Sequence, residues 1–213
     1  MNTPQVSAEH YRRESYDHKA RWLSYWYQLR AVLAGAPREV LEVGLGGGVV
    51  TRYLRERGIK VITADIDPAL KPDLVASVVA LPLADEAVDT AVAFEVLEHL
   101  PFADFPRALS ELRRVSRREV IVSIPDSRRT LFFASVHLPG IGRKEIFIKI
   151  PSRRRHKFDG QHHWEMGKRG YPVKKILNTI AAAGLTVKKH FVPSDCPTKH
   201  FFLCRKNNPQ ISH

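Results

Sequence analysis

An apolar run that breaks into a cluster of glycines constrains the fold of this chain more than any other feature. Residues 40–43 read Val-Leu-Glu-Val, residues 44–48 contain four glycines, and an amphipathic stretch begins at Val49. Glycine lets the backbone turn sharply and lets a ligand come close to the start of a helix. The pattern therefore predicts a strand, a tight turn and a helix that together cradle a ligand.

A second apolar run ends in an acidic residue at a characteristic spacing from the glycine cluster. Residues 60–64 lead into Asp65, seventeen residues after Gly48. An acid at the tip of the second strand, about 20 residues beyond a glycine turn, is where a nucleoside ribose is held by its hydroxyls. A dinucleotide fingerprint would need Gly or Ala where Val49 stands, so that class of cofactor is excluded.

Three further segments follow the glycine turn in a fixed order. Residues 64–68 read ADIDP, residues 81–92 read LPLADEAVDTAV, and residues 94–100 read FEVLEHL. Together with the glycine turn they resemble the motifs of the class I methyltransferases that use S-adenosylmethionine, over roughly residues 38–125. The resemblance implies S-adenosylmethionine as the cofactor and methyl transfer as the reaction.

The same resemblance implies a set of cofactor-binding residues. Asp65 would accept both ribose hydroxyls, and Ser77 stands where many relatives carry an Asp near the adenine. Glu95 lies either near the methionine part of the cofactor or at a helix start, where an acid offsets the helix dipole. The predicted set is Glu42, Gly44, Gly46, Gly48, Asp65, Ile66, Ser77, Val79, Phe94 and Glu95.

Two histidines are candidates for a catalytic base. An oxygen nucleophile gains from a base, and histidine titrates near neutral pH, which favours His99 and His162. Residues 158–165 resemble an FDG-x-H-x-WE segment of a bacterial branch of the family, which implies a role for His162 with Glu165 to orient it. The alternative is a structural histidine packed against Trp164.

Four residues of metal-ligating type occur in these segments, namely Glu98, His99, His162 and Glu165. They do not follow the tight spacing that marks a metal site in a sequence. The sequence therefore predicts no metal site.

Alternating strands and helices predict an α/β fold with a Rossmann-like, doubly wound, seven-stranded sheet, mostly parallel with a C-terminal antiparallel hairpin. We expect a single domain over residues 1–213, in which an N-terminal segment, 1–36, forms a helical lid. The helix is predicted over residues 10–33, and Trp22 and Trp26 share one stripe of it. That stripe either packs on the core or covers the cofactor cleft.

Residues 126–170 are too long for a connector between a strand and a helix, so we expect a substrate-cap insertion there. They hold eleven Lys or Arg against four Asp or Glu, within a chain of net charge +12. A local basic excess indicates an anionic partner or, equally, a solvated loop.

Composition restricts the setting of the protein. The first residues lack the apolar core of a signal peptide, no apolar run reaches the roughly 18 residues of a membrane span, and Cys196 and Cys204 do not form a disulfide framework. We expect a cytoplasmic protein. The sequence does not indicate an oligomeric state.

The leading hypothesis is a methyltransferase that acts on oxygen of a small or sugar-like, anionic acceptor. The first alternative is an RNA methyltransferase acting on ribose, which the basic excess favours because phosphate contacts supply non-specific affinity. The second alternative is a non-catalytic binding protein with a methyltransferase fold.

Overall fold

The computed structural model describes residues 5–140 and 142–207. In chain order its strands are β1 (Glu39–Val43), β2 (Lys60–Asp65), β3 (Leu74–Val75), β4 (Val88–Phe94), β5 (Ser116–Pro125), β6 (Arg129–Leu138), β7 (Gly142–Ile150), β8 (Leu185–Phe191) and β9 (Lys199–Lys206). Its α-helices are α1 (Lys19–Ala34), α2 (Val49–Glu56), α3 (Phe105–Val115) and α4 (Val173–Ala182).

The central sheet has seven strands in the order β3-β2-β1-β4-β5-β9-β8. The strands from β1 to β5 pair in parallel, whereas β9 runs antiparallel to both β5 and β8. This order confirms the predicted Rossmann-like sheet with its C-terminal antiparallel pair. The chain order reverses between β1 and β4, which is the position where sheets of this type bind ligands.

Helices cover both faces of the sheet because the side chains of each strand alternate between them. Val40 packs in the cluster beneath α1 and α2, while Leu41 packs in the cluster beneath α3 and α4. In α3 the buried residues Phe105, Leu109 and Leu112 recur at the predicted helical spacing. The continuous burial of β4 confirms a strand covered on both sides.

Residues 126–170 include a hairpin that the sequence analysis did not predict. Strands β6 and β7 pair with each other as a separate two-stranded sheet. Residues 151–170 then return to the domain, where Trp164 and Met166 are fully buried. The hairpin exposes many large apolar side chains: Leu131, Phe132, Phe133, Val136, Leu138, Ile146, Ile148 and Ile150.

The N-terminal helix is shorter than predicted. It begins at Lys19, and two 3₁₀ turns, His10–Arg12 and Glu14–Tyr16, occupy the part predicted as its first two turns. The extended backbone of His18 (φ −75°, ψ 164°) stops the helix from continuing back. The tryptophan stripe is also not on the buried side, since Trp22 and Trp26 are each 53% exposed.

Tyr25 and Val32 are buried on the face of α1 toward the sheet, next to Ser24 and Gln28. Of the two alternatives for the tryptophan stripe, packing on the core is therefore wrong. Cys196 and Cys204 are both free and buried, in agreement with the absence of a disulfide framework. None of the helices in the described part of the chain has the length and apolar content that crossing a membrane requires.

Candidate functional site

A cavity of about 530 Å³ lies at the carboxyl ends of β1, β2, β4 and β5. This volume is in the range of small-molecule sites. We call it the main cavity; its wall includes Tyr11, Tyr16, Arg21, Gly44, Gly46, Asp65, Ile66, Asp67, Phe94, Glu95, Glu98, His99, Asp126, Ser127, His162, Glu165 and Lys199. A smaller side cavity of about 70 Å³ adjoins it and includes Gly44, Asp65, Ile66, Ser77 and Val78.

The glycine turn forms the floor where the two cavities meet. Gly44 has φ 84°, and a Cβ placed there would lie 2.2 Å from Cγ2 of Val96, so a side chain does not fit. Gly46 has φ 50° and lies against the ring of Tyr11. Gly48 instead precedes α2 as its N-terminal capping residue and lies behind the cavity wall.

Asp65 is held rigidly at the end of β2. Its Oδ2 accepts the backbone N–H of Leu45 at 2.8 Å, and its Oδ1 accepts that of Asp67 at 2.9 Å. Burial raises the pKa of Asp65. Each carboxylate oxygen has a further lone pair, so the group can still accept hydrogen bonds from a ligand in either cavity.

The side cavity is lined by four residues of the predicted cofactor-binding set, namely Gly44, Asp65, Ile66 and Ser77. The Ser77 hydroxyl is buried and has no hydrogen-bond partner among the described residues. A buried hydroxyl without a partner is costly, which favours a polar ligand atom beside it. Val78 lines this cavity, whereas Val79 packs against the core cluster beneath α3.

Glu42 does not lie on the wall of either cavity. It is 4% exposed and accepts a hydrogen bond from the hydroxyl of Thr51 in α2. Burial raises the pKa of Glu42 to about 7. Its hydrogen bond connects the strand before the glycine turn to the helix after it, and its role toward the cofactor stays a prediction.

The N-terminal segment forms one wall of the main cavity. Tyr11 and Tyr16 meet edge to face at 5.2 Å between ring centroids, and the guanidinium of Arg21 lies 4.4 Å from the centroid of the Tyr16 ring. Burial raises the pKa of Tyr11 to about 12, so its hydroxyl stays a neutral hydrogen-bond donor. None of these three was a predicted site residue; their one signal in the sequence is the aromatic content of the segment.

Phe94, the last residue of β4, and Glu95, which follows it, lie on the wall of the main cavity. Glu95 has φ 58°, its Oε1 accepts the Ser123 hydroxyl at 2.8 Å, and it forms an ion pair with Lys199. Burial alone would lower the pKa of Lys199, but the charge of Glu95 raises it. Sequence reasoning missed Lys199 because it lies on β9, which reaches the site through sheet order.

His99, His162 and Glu165 come together on the wall of the main cavity. The two imidazole rings lie 5.0 Å apart between centroids, nearly perpendicular to each other. Nδ1 of His162 is 3.2 Å from Oε1 of Glu165, and Nδ1 of His99 is 3.0 Å from the carbonyl oxygen of Gln161. The structure thus gives Glu165 the position that orienting His162 requires.

The surroundings of His99, His162 and Glu165 shift the pKa values of two of them. The hydrogen bond from His162 lowers the pKa of Glu165, which also contacts Lys168 at 2.7 Å. Burial and the neighbouring His162 lower the pKa of His99. Trp164, the packing partner considered for His162, is instead buried in an aromatic cluster with Phe102, Phe105 and Tyr171.

Glu98 is the most unusual group on the wall. Its side chain is fully buried, and neither carboxylate oxygen has a hydrogen-bond partner in the described part of the chain. Burial and the charge of Glu95 raise the pKa of Glu98 well above its ordinary value. Glu98 follows β4 within the predicted segment 94–100, but its burial could not be read from the sequence.

The basic excess of the insertion lies elsewhere. Arg153, Arg154 and Arg155 are exposed, while the insertion contributes Asp126, Ser127, Gln161, His162 and Glu165 to the cavity wall. The wall carries six carboxylates, with Arg21 and Lys199 as its Lys or Arg residues. The environment of the main cavity is therefore more acidic than the insertion as a whole.

Residues 41–124 match the family model of the methyltransferase domain. No curated protein gives a significant sequence match to the chain. Many solved structures do share its fold. The 1,6-didemethyltoxoflavin-N1-methyltransferase of Burkholderia thailandensis, solved with S-adenosylhomocysteine, has a TM-score of 0.62 at 16% identity, covering 98% of this chain and 94% of that one.

Two further structures with bound S-adenosylhomocysteine are similar. The N-methyltransferase NodS of Bradyrhizobium japonicum has a TM-score of 0.60 at 12% identity and covers 90% of each chain. The magnesium protoporphyrin IX methyltransferase of Synechocystis has a TM-score of 0.58 at 13% identity, with 88% of this chain and 84% of that one covered. At these identities the likeness establishes the fold.

Proposed function

We propose that the chain is an S-adenosylmethionine-dependent methyltransferase that methylates an oxygen of a small molecule. The match of residues 41–124 to the methyltransferase domain and the fold shared with solved methyltransferases support this proposal. The observation that carries this proposal is the convergence of His162 and Glu165 with the glycine turn and Asp65 on one cavity. One end of that cavity suits the cofactor, and the other presents a base.

The residues present fit S-adenosylmethionine, a cofactor that supplies a methyl group already activated on a sulfonium. Gly44 leaves the space that a side chain would fill, and Asp65 has acceptor capacity for ribose hydroxyls. Ser77, whose hydroxyl has no hydrogen-bond partner in the described part of the chain, lines the side cavity, where a heterocycle edge would meet it. Tyr11 and Tyr16 would cover the ligand from the N-terminal side and exclude water.

We assign His162 as the base that takes the proton of the acceptor hydroxyl. The Glu165 carboxylate can only accept, so Nδ1 of His162 carries the proton and Nε2 is left with a lone pair. Glu165 then stabilises the imidazolium that forms when Nε2 takes a proton. His99 is the alternative base, since its Nδ1 donates to the carbonyl oxygen of Gln161 in the same way.

The charge of the wall bears on the acceptor. Three of the six acids on the wall form ion pairs with Lys or Arg, namely Glu95, Asp126 and Glu165, and burial raises the pKa of Glu98. Asp65 and Asp67 then carry the negative charge of the wall against the positive charge of Arg21. An anionic acceptor would have to bind against this excess, so the cavity itself lends no support to that part of the expectation. A neutral, hydroxyl-bearing acceptor fits better.

Methyl transfer from S-adenosylmethionine labelled on its methyl group tests the proposal. We expect calorimetry to show S-adenosylhomocysteine binding, and label to enter the small-molecule fraction of a cell extract. His162→Ala should lower incorporation by about 100-fold or more while cofactor affinity is kept, because it removes a general base. His163→Ala is the matched control, since His163 stacks on Phe158 and should leave incorporation unchanged.

Other outcomes separate the alternatives. Label in the RNA fraction, with binding that weakens steeply as salt rises, would favour the ribose methyltransferase and the exposed arginines as its contact surface. Cofactor binding with no incorporation into any fraction would favour the non-catalytic binding protein. Absence of cofactor binding at millimolar concentration would refute the assignment of the cavity.

A further inference from the structure

We propose that Glu98, His99 and His162 bind a divalent transition-metal ion in the main cavity. One ligand atom from each of these residues lies within 4.8 Å of the others. Tetrahedral ligands about 2.1 Å from an ion lie roughly 3.4 Å from one another. Small side-chain rotations would bring the three ligand atoms to that separation. The proposal concerns a binding event that does not depend on methyl transfer.

Both histidines are prepared as metal ligands by their neighbours. Nδ1 of His99 faces the Gln161 carbonyl oxygen at 3.0 Å, and Nδ1 of His162 faces Oε1 of Glu165 at 3.2 Å. Because both partners are acceptors, each Nδ1 carries the proton and each Nε2 keeps a lone pair. Metal-bound histidines are held by this kind of hydrogen bond from the second ring nitrogen to a carbonyl or carboxylate.

Glu98 supplies an independent observation. It lies on the wall of the main cavity with its side chain fully buried, and both of its carboxylate oxygens lack a hydrogen-bond partner in the described chain. Buried carboxylates are ordinarily paired or bound to a metal. The backbone oxygen of Glu98 accepts the N–H of His163 at 2.9 Å, which fixes Glu98 beside the segment that carries His162.

A second group of possible ligands shares His162 but is less suitable. Asp159, His162 and Glu165 also bring ligand atoms together. However, Oδ1 of Asp159 accepts the backbone N–H groups of Gln161 and His162, and Glu165 is already bonded to Ser127, Lys168 and His162. Glu165 is therefore assigned as an outer partner that orients His162.

The chemistry of the set indicates the kind of ion. Two imidazole nitrogens and one carboxylate suit Zn²⁺ and its first-row neighbours, whereas Mg²⁺ and Ca²⁺ prefer oxygen ligands. Three protein ligands leave one coordination position open. Because the ion would use the Nε2 lone pair of His162, the metal-bound form is distinct from the metal-free form in which His162 acts as the base.

Titration of tag-free, metal-stripped protein with CoCl₂, in the absence of cofactor, tests the site. We expect one equivalent of Co²⁺ to bind with visible ligand-field absorption, ZnCl₂ to displace it, and MgCl₂ in excess to leave it bound. Glu98→Gln should weaken Co²⁺ binding at least tenfold, and it should fold because glutamine is a neutral residue of nearly the same shape. Glu165→Gln should weaken binding by about 10- to 100-fold.

His163→Ala is the matched control, with one histidine fewer but the three ligands intact, and should bind Co²⁺ like the unaltered protein. Equal Co²⁺ affinity in Glu98→Gln and the unaltered protein, or no stoichiometric binding at all, would overturn the proposal. If His162→Ala loses methyl incorporation but the unaltered protein binds no Co²⁺, His162 remains assigned as a base and the metal site alone is refuted. Stoichiometric Co²⁺ binding by a protein that shows no methyl incorporation would support the metal site and refute the role of His162 as a base.

Discussion

At the residue scale, we propose that Asp65 both fixes the glycine turn and binds the cofactor ribose. Its two oxygens each accept a backbone N–H, from Leu45 and Asp67, which aims the remaining lone pairs at the cavities. Asp65→Ala should weaken S-adenosylhomocysteine binding by roughly 1–3 kcal/mol through lost charge-assisted hydrogen bonds. Calorimetry measures this, with Asp85→Ala, at an exposed acid, as the control. An unchanged dissociation constant would refute the ribose role.

Residues adjacent to strand ends were predictable, and residues brought in by other segments were not. Asp65, Phe94 and Glu95 lie where the strand pattern indicates, because carboxyl ends of parallel strands share one edge of the sheet. Lys199 and Tyr11 come from the opposite ends of the chain and reach the site through packing. Their contacts depend on sheet order and on how the N-terminal turns fold over the glycines.

At the scale of elements, the strand–turn–helix unit requires glycine at one position for steric reasons. Gly44 and Gly58 both have positive φ, but a Cβ would meet Val96 only at Gly44 and open space at Gly58. Gly58→Ala should therefore cost about 1–2 kcal/mol of folding free energy from backbone strain alone. Gly44→Ala should cost more and weaken cofactor binding at least tenfold. Urea unfolding and calorimetry on both variants measure this, and equal effects would contradict the steric argument.

The elements that sequence reasoning misjudged are those outside the sheet. The segment before Lys19 contains helix-favouring residues but folds as 3₁₀ turns, because Tyr11 and Tyr16 pack over the glycine turn. The hairpin of β6 and β7 escaped prediction because apolar residues occupy both of its faces, so the alternation that identifies a half-buried strand is weak. Within the sheet, the apolar runs and the glycines at their ends were enough to predict the strands.

At the scale of the whole molecule, the insertion is joined to the sheet at a buried charge cluster. Asp126 follows β5 directly, and its carboxylate lies 2.7 Å from Arg128, 3.1 Å from Lys149 and 3.5 Å from His200. Its backbone N–H donates to the Thr198 carbonyl oxygen at 2.8 Å. One residue thus connects β5, β7 and β9 beside the main cavity. The sequence predicted an insertion at 126 from its length, but the cluster depends on residues up to 74 positions apart.

This cluster makes folding stability depend on pH. Burial would raise the pKa of Asp126, but hydrogen bonds from His200 and Arg128 hold it well below its ordinary value. A depressed acid pKa gives stability that is present above the unfolded value, about pH 4, and that is lost as the pH falls below it. Asp126→Asn should cost about 3–5 kcal/mol at pH 7, because it leaves Lys149, with a side chain 4% exposed, as an unpaired buried cation.

Urea unfolding of the two proteins between pH 7 and pH 3 measures the effect. The difference in unfolding free energy should be constant down to about pH 4. It should shrink below that, because Asp126 of the unfolded chain takes up a proton while Asp126 of the folded protein stays ionised. The double variant Asp126→Asn/Lys149→Met removes the unpaired cation as well and should be more stable than Asp126→Asn alone. A difference that stays constant through pH 3, or a double variant no more stable than the single one, would show that the insertion is held to the sheet by apolar packing around Trp164 and Met166 rather than by this cluster.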